Sequence, residues 1–254
     1  MSEEVLVDAQ DGILVITLNR PAARNAVNLA VSEAVAAAMT ELDSSPDLTV
    51  AVLTGAGGTF CAGMDLKAFL RGESPVIPGR GFLGLVEAPP EKPLIAAVEG
   101  YALAGGCEAV LAADLVVASR TAKFGIPEVK RGLAAAAGGL MRLPRRIPPA
   151  VALELALTGE LFDAERAFAL GLVNRLADEG QALEAALDLA RSIAANGPLA
   201  VRASKKVIRE SADWSQDEMF EQQRAITGPV FASADAQEGA RAFAEKRPPR
   251  WRGE

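Results

Sequence analysis

"PLIAAVEGYALAGGCEAVLAADLVVAS", residues 93–119, holds two apolar runs separated by a glycine-rich turn and an alanine-rich segment. Residues 93–100 and 113–119 read as buried strands, because neither of their alternating faces is polar. The segment between them reads as a helix opening near Gly105. Strands apolar throughout, alternating with helices, belong to a parallel arrangement covered on both faces. Glu108 falls inside this helix, and a buried carboxylate without a partner is costly. The chain must pair that group, expose it or use it.

Outward from there, "VLVDAQDGILVITLNRP" (5–21) shows two β-rich runs around Asp11-Gly12, a hairpin signal, with Pro21 ending the second run. Residues 28–45 have helical spacing, and 48–55 read as another buried strand. Beyond about residue 134 helical segments dominate: 148–158, 163–170, 181–195, 198–211, 215–226 and 235–245. Only "LVNRL" (172–176) still reads as a strand there. "RGESPVIPGRG" (71–81) reads as a mobile loop from its Gly and Pro content. The expected division is an α/β core over 1–195 and a helical region over 196–254, with no long linker and no repeat.

The 254 residues are half hydrophobic and 23% charged, with a net charge of −7. This is a foldable soluble composition, and its acidic balance argues against a general nucleic-acid binder. The apolar stretch 94–119 is broken by Glu99, Glu108 and Asp114, so no membrane span is expected. "MSEEVLVDAQ" does not read as a signal peptide. Cys61 and Cys107 do not suggest a disulfide framework, so they read as small buried fillers in a cytoplasmic protein. The chain has no histidine. That removes the commonest general acid/base, most Ser-His and Cys-His schemes, and His-built zinc sites, so no metal is expected. Proton chemistry falls to Asp, Glu, Lys, Tyr or Cys.

Three stretches remain as chemical candidates: "GAGGTFCAGMDL" (55–66), "GYALAGGCE" (100–108) and "FGIPEVKRG" (124–132). The first two leave a strand into small residues, which lets a ligand approach backbone N–H groups. A helix opening at Gly105 adds its positive end and carries Glu108 one turn in, on the same face. Close helix–strand packing also explains such glycines, and Glu128 in "IPE" also suits the first turn of a Pro-led helix. Neither nucleotide-binding glycine signature is present. Two glutamates near backbone donors, in a chain without histidine, suit proton transfer at a carbon next to an activated carbonyl.

From "LNRPAARNAV" through "GTFCAGMDLKAF", "PLIAAVEGYALAGGCEAVLAADLVVAS" and "FGIPEVKRGL" to "LALTGELFDAERAFALGLVNRL" and "GARAFAEKRPPRW", nearly the whole chain resembles the crotonase superfamily. Within it, the chain is most similar to enoyl-CoA hydratases. The resemblance implies a β/α spiral core with a helical C-terminal trimerisation region, assembling as a trimer or a dimer of trimers. It implies hydration of a trans-2-enoyl-CoA, with the Met64 and Gly105 N–H groups as oxyanion donors and Glu108 and Glu128 as acid/base pair. For the CoA moiety it points to Arg24, Ala26, Ala62, Asp65 and Leu66, and to Phe243 and Lys246 near the C-terminus. No separate cofactor is implied, since CoA travels on the substrate. Another crotonase-type reaction, isomerisation or a specialised dehydration, is the alternative, followed by a non-catalytic CoA-binding oligomer. Two departures stand out: "AAAAGG" (134–139) where members often have "PGAGG", and Met64 in place of a commoner alanine.

Overall fold

The computed structural model describes residues 4–254. Strands β1 (Val5–Gln10) and β2 (Ile13–Leu18) form the hairpin, with Val5 opposite Leu18 and Gln10 opposite Ile13. Asp11 and Gly12 both take positive φ, 53° and 77°, which matches the right-handed twist of the flanking strands. The second strand ends at Leu18, before Pro21, because Pro21–Ala23 forms a 3₁₀ turn. Helix α1 (Leu29–Ser44) starts at Asn28, whose side chain accepts the Val31 N–H at 3.0 Å.

After β3 (Val50–Gly55) come α2 (Leu66–Leu70) and a small hairpin of β4 (Val76–Ile77) and β5 (Gly81–Phe82). The 71–81 stretch is therefore partly structured. Its Gly and Pro residues make the turns of a hairpin tied to α1 by the Ser32 hydroxyl, which donates to Pro75 O at 2.7 Å. Next come β6 (Leu94–Val98), β7 (Tyr101–Leu103), α3 (Gly105–Ala112), β8 (Leu115–Ser119) and β9 (Lys123–Gly125). A 3₁₀ turn, Pro127–Arg131, leads to α4 (Gly139–Arg146) and α5 (Pro149–Thr158). Strand β10 (Phe162–Asp163) and helix α6 (Ala164–Ala169) precede β11 (Arg175–Ala177). The last expected strand thus starts three residues late, since Leu172 and Val173 are buried in the loop before it. Helices α7 (Ala182–Ala194), α8 (Pro198–Glu210), α9 (Met219–Phe231) and α10 (Ala234–Glu245) complete the chain. Helix α9 runs past the expected end at 226 and contains Pro229.

The main sheet has the order β1-β2-β3-β6-β8-β11, parallel except for the first hairpin. Val50, Val52, Ile95, Ala97 and Val117 face α7, while Ala51, Leu53, Leu94, Ala96 and Val116 face the larger core on the other side. Both faces are covered, so both alternating sets are apolar. A second sheet, β10-β9-β7, stands at the end of the first. Asp114 holds α8 against the core through Lys205 at 2.7 Å and Arg209 at 3.0 Å. Among the described residues no helix is long and apolar enough to cross a membrane.

Candidate active site

Two backbone N–H groups are left over where three segments meet. Residues 61–65 are zipped between neighbours. Leu103 N–H donates to Cys61 O at 2.9 Å, Val27 N–H to Gly63 O at 2.8 Å, and Asp65 N–H to Val27 O at 2.9 Å. The last two bonds bracket Met64 in a parallel bridge with Val27, which turns the Met64 N–H to the opposite side. It has no acceptor among the described residues. Gly105 N–H, the first amide of α3, also has none, as expected at a helix start. A Cβ added to Gly63 would stand 3.3 Å from the Gly105 nitrogen and 2.9 Å from the Ala104 Cβ, so the two donor segments touch.

The turn that exposes Gly105 N–H is strained. Ala104 has φ 52° and ψ −128°, a conformation side-chain-bearing residues adopt at a cost of about 1–3 kcal/mol. The glycines after it are required by contact: a Cβ at Gly105 would lie 2.6 Å from the Phe82 ring, and one at Gly106 2.3 Å from Cys61 O. Close packing and donor placement are here the same feature. Cys61 and Cys107 are buried fillers as expected, each thiol pushed up to about 12 by burial.

Glu108, on the first turn of α3, is 3% exposed. Its Oε1 accepts the N–H groups of Ala137 and Gly139, both at 2.8 Å, while Oε2 has no partner among the described residues. Burial raises its pKa, and the neighbouring charge of Glu128 adds to this against the Gly139 and Ala137 amides and Arg142. Glu128 lies in the first turn of the 3₁₀ segment. Its Oε2 is buried and unpartnered, and burial raises this carboxyl too, against its own amide and Arg131. The structure therefore brings Met64, Gly105, Glu108 and Glu128 into one neighbourhood: touching donor segments, with Glu108 one turn on and feeling the charge of Glu128.

These raised carboxyls bear on stability with a definite sign. The native state holds its proton to higher pH than the unfolded chain, so the stabilisation is complete below the ordinary carboxylate pKa and is lost as pH rises through the raised value. At pH 8, Glu108→Gln and Glu128→Gln should each unfold at higher urea than the parent, and the gap should close near about pH 4. Equal midpoints at pH 8 would contradict the raised values.

The residues expected to meet CoA divide into two groups. Arg24, Ala26, Ala62, Asp65 and Leu66 come together: Ala62 N–H donates to Arg24 O at 3.0 Å, beside the Val27 bridge. Arg24 is left-handed, at φ 52°, and Leu66 is 46% exposed. The Asp65 side chain is already engaged. Its Oδ1 caps α2 through Lys67 N–H and Ala68 N–H, and its Oδ2 meets Arg20 at 3.0 Å. Burial opposes ionisation of Asp65, but the bonds from Ala68 and Arg20 outweigh it and lower the pKa. Phe243 and Lys246 lie elsewhere, on α10, with Phe243 88% exposed and Lys246 closing the helix at φ 55°. No hydrogen bond joins them to the first group.

Several supporting residues escape a reading of the sequence. Asn25 is 1% exposed and holds the turn before Cys61 by donating to Ala56 O at 2.9 Å and Thr59 O at 2.6 Å. Arg20 donates to Ala26 O and pairs with Asp65. The amides of Ala137 and Gly139 fall in the departing "AAAAGG" segment, whose glycine pair was the only available signal.

Residues 8–254 match the model of the enoyl-CoA hydratase/isomerase family. The chain is 44% identical to enoyl-CoA hydratase EchA19 of Mycobacterium tuberculosis, over 97% of this chain and 95% of that one. It is 41% identical to carnitinyl-CoA dehydratase of Salmonella typhi over the full length of both. The crystal structure of enoyl-CoA hydratase EchA1 from Mycobacterium marinum superposes with a TM-score of 0.98 at 64% identity, covering both chains completely. With its spiral α/β core and C-terminal helices, the chain belongs to the enoyl-CoA hydratase/isomerase family and has the crotonase fold.

Proposed function

We propose that the protein adds water across the 2,3 double bond of a trans-2-enoyl-CoA, giving a 3-hydroxyacyl-CoA. The observation that carries this reading is the pairing of a buried, amide-held Glu108 with the unpartnered Glu128 Oε2, beside two spare N–H groups. The Met64 and Gly105 N–H groups would hold the thioester oxygen as charge moves onto it. Ionised Glu108 takes a proton from water as the oxygen bonds to C3. Neutral Glu128 gives a proton to C2, and the elements of one water end on the two carbons. Proton exchange between the acids and solvent then restores the starting state. Burial raises the Glu128 carboxyl above the ordinary carboxylate range, the direction that favours its proton-bearing form.

The CoA moiety would lie along the 24–26 and 62–66 backbone. Phe243 and Lys246 would serve a neighbouring subunit's CoA in a trimer or dimer of trimers. The exposed Ile208, Phe220, Phe231 and Phe243 on α8–α10 support residues 196–254 as the oligomerisation region. No cofactor beyond the CoA on the substrate is needed. The carnitinyl-CoA dehydratase relatives support a second reading, dehydration of a specialised hydroxyacyl-CoA by the same groups in reverse.

The test is direct. Purified protein with crotonyl-CoA should bleach the conjugated-thioester absorbance and yield 3-hydroxybutyryl-CoA by mass. A panel of longer enoyl-CoAs and of carnitinyl-CoA separates the two readings. No turnover on any of them would reject both.

A further inference from the structure

Arg142 has no role in the scheme above, yet it is placed to serve it. It sits one turn into α4, the helix whose first amide holds Glu108 Oε1 at 2.8 Å. Its guanidinium folds back over Gly138, which has φ 95°, so that a Cβ there would stand 2.1 Å from Nη1. Nη2 reaches away from α4 and donates to Val86 O at 2.6 Å. Val86 belongs to the buried segment that begins with Phe82, the ring lying against Gly105. One side chain therefore ties the amide cradle of Glu108 to the segment covering the first turn of α3.

A solvated helix charge would do neither. Burial depresses the Arg142 pKa, as does repulsion from Arg209, while Glu108 opposes the shift. Lysine would not reproduce the planar fork that spans Gly138 and Val86.

We propose that Arg142 is a positioning residue for Glu108: it fixes the Ala137–Gly139 amides against the carboxylate and supplies the cation that faces it. The consequence for turnover rests on the hydratase reading above. The charged and titratable groups facing Glu108 are Glu128 from the 3₁₀ turn, Cys107 from α3 and Arg142 from α4. Arg142 itself faces Arg145 on its own helix and Arg209 on α8. Removing the positive charge leaves burial and Glu128 less opposed, so Glu108 should take up its proton at higher pH.

Arg142→Gln should lower kcat about 10-fold with KM for crotonyl-CoA within about two-fold. The acid limb of kcat/KM should move up by roughly 0.5 unit or more, the modest side of what one neighbouring charge produces. Arg142→Lys should return the limb to its original pH while recovering only part of kcat. A ¹³C-carboxyl titration of Glu108, assigned with Glu108→Gln, reads the same shift without turnover. A folded Arg142→Gln protein whose Glu108 titrates as in the parent overturns the proposal, even if it is less stable. If Glu108 moves but the parent hydrates no enoyl-CoA, the positioning role stands and the hydratase reading fails.

Discussion

Glu108→Gln should abolish most hydration of crotonyl-CoA while leaving CoA-ester binding nearly intact. The size follows from general acid/base action, worth about 100- to 10,000-fold. Glutamine keeps an oxygen to accept the Ala137 and Gly139 amides, so the cradle survives and only the proton-accepting function is lost. Glu128→Gln should fall in the same range, because the amide cannot deliver a proton to C2. The double variant should lose little more than either single one, since two groups flanking one water act as a unit. Steady-state kinetics give kcat, and calorimetric titration with a saturated acyl-CoA gives binding. If both single variants turned over at the parental rate, the two-carboxylate scheme would be wrong. If inactive variants failed to bind the ester as well, misfolding would be the cause, and urea midpoints would reveal it.

The three acids interrupting the apolar stretch 94–119 show how far the sequence could be read. Their presence excluded a membrane span, but their separate tasks depend on distant partners. Glu99 accepts the N–H of Ala182 at 2.9 Å at the start of α7. Asp114 receives Leu94 N–H, Lys205 and Arg209. Of the three, Glu108 is the one that is 3% exposed and held by two backbone amides beside the spare N–H groups. Period and turn chemistry made the hairpin at Asp11-Gly12 and the buried strands legible, because these are local signals. The amides that cradle Glu108 lie 29 and 31 residues away along the chain, and no local rule connects them. Asn25 likewise acts on the carbonyls of Ala56 and Thr59. The start of β11 shifted for a similar reason: burial of Leu172 and Val173 in a loop is decided by tertiary packing, not by strand propensity.

The donor pair allows a sharper separation of chemistry from stability than side-chain substitution does. Replacing the Met64 backbone amide by an ester, through semisynthesis, removes its N–H and leaves the side chain in place. That N–H has no protein acceptor among the described residues, so folding loses no bond made by it. The preceding carbonyl, Gly63 O, becomes a weaker acceptor for Val27 N–H, a small loss that thermal melting can measure. Turnover should nonetheless fall about 100- to 1000-fold, the usual effect of removing one oxyanion donor. The same exchange at Ala62, whose N–H donates to Arg24 O at 3.0 Å, should do the reverse, lowering Tm while sparing kcat relative to the Met64 ester. Side-chain changes cannot make this distinction at Gly105, where a Cβ would strike the Phe82 ring at 2.6 Å. A Met64 ester with parental kcat would place the developing negative charge away from this N–H. The strained Ala104 and the glycine contacts would then be explained by packing alone.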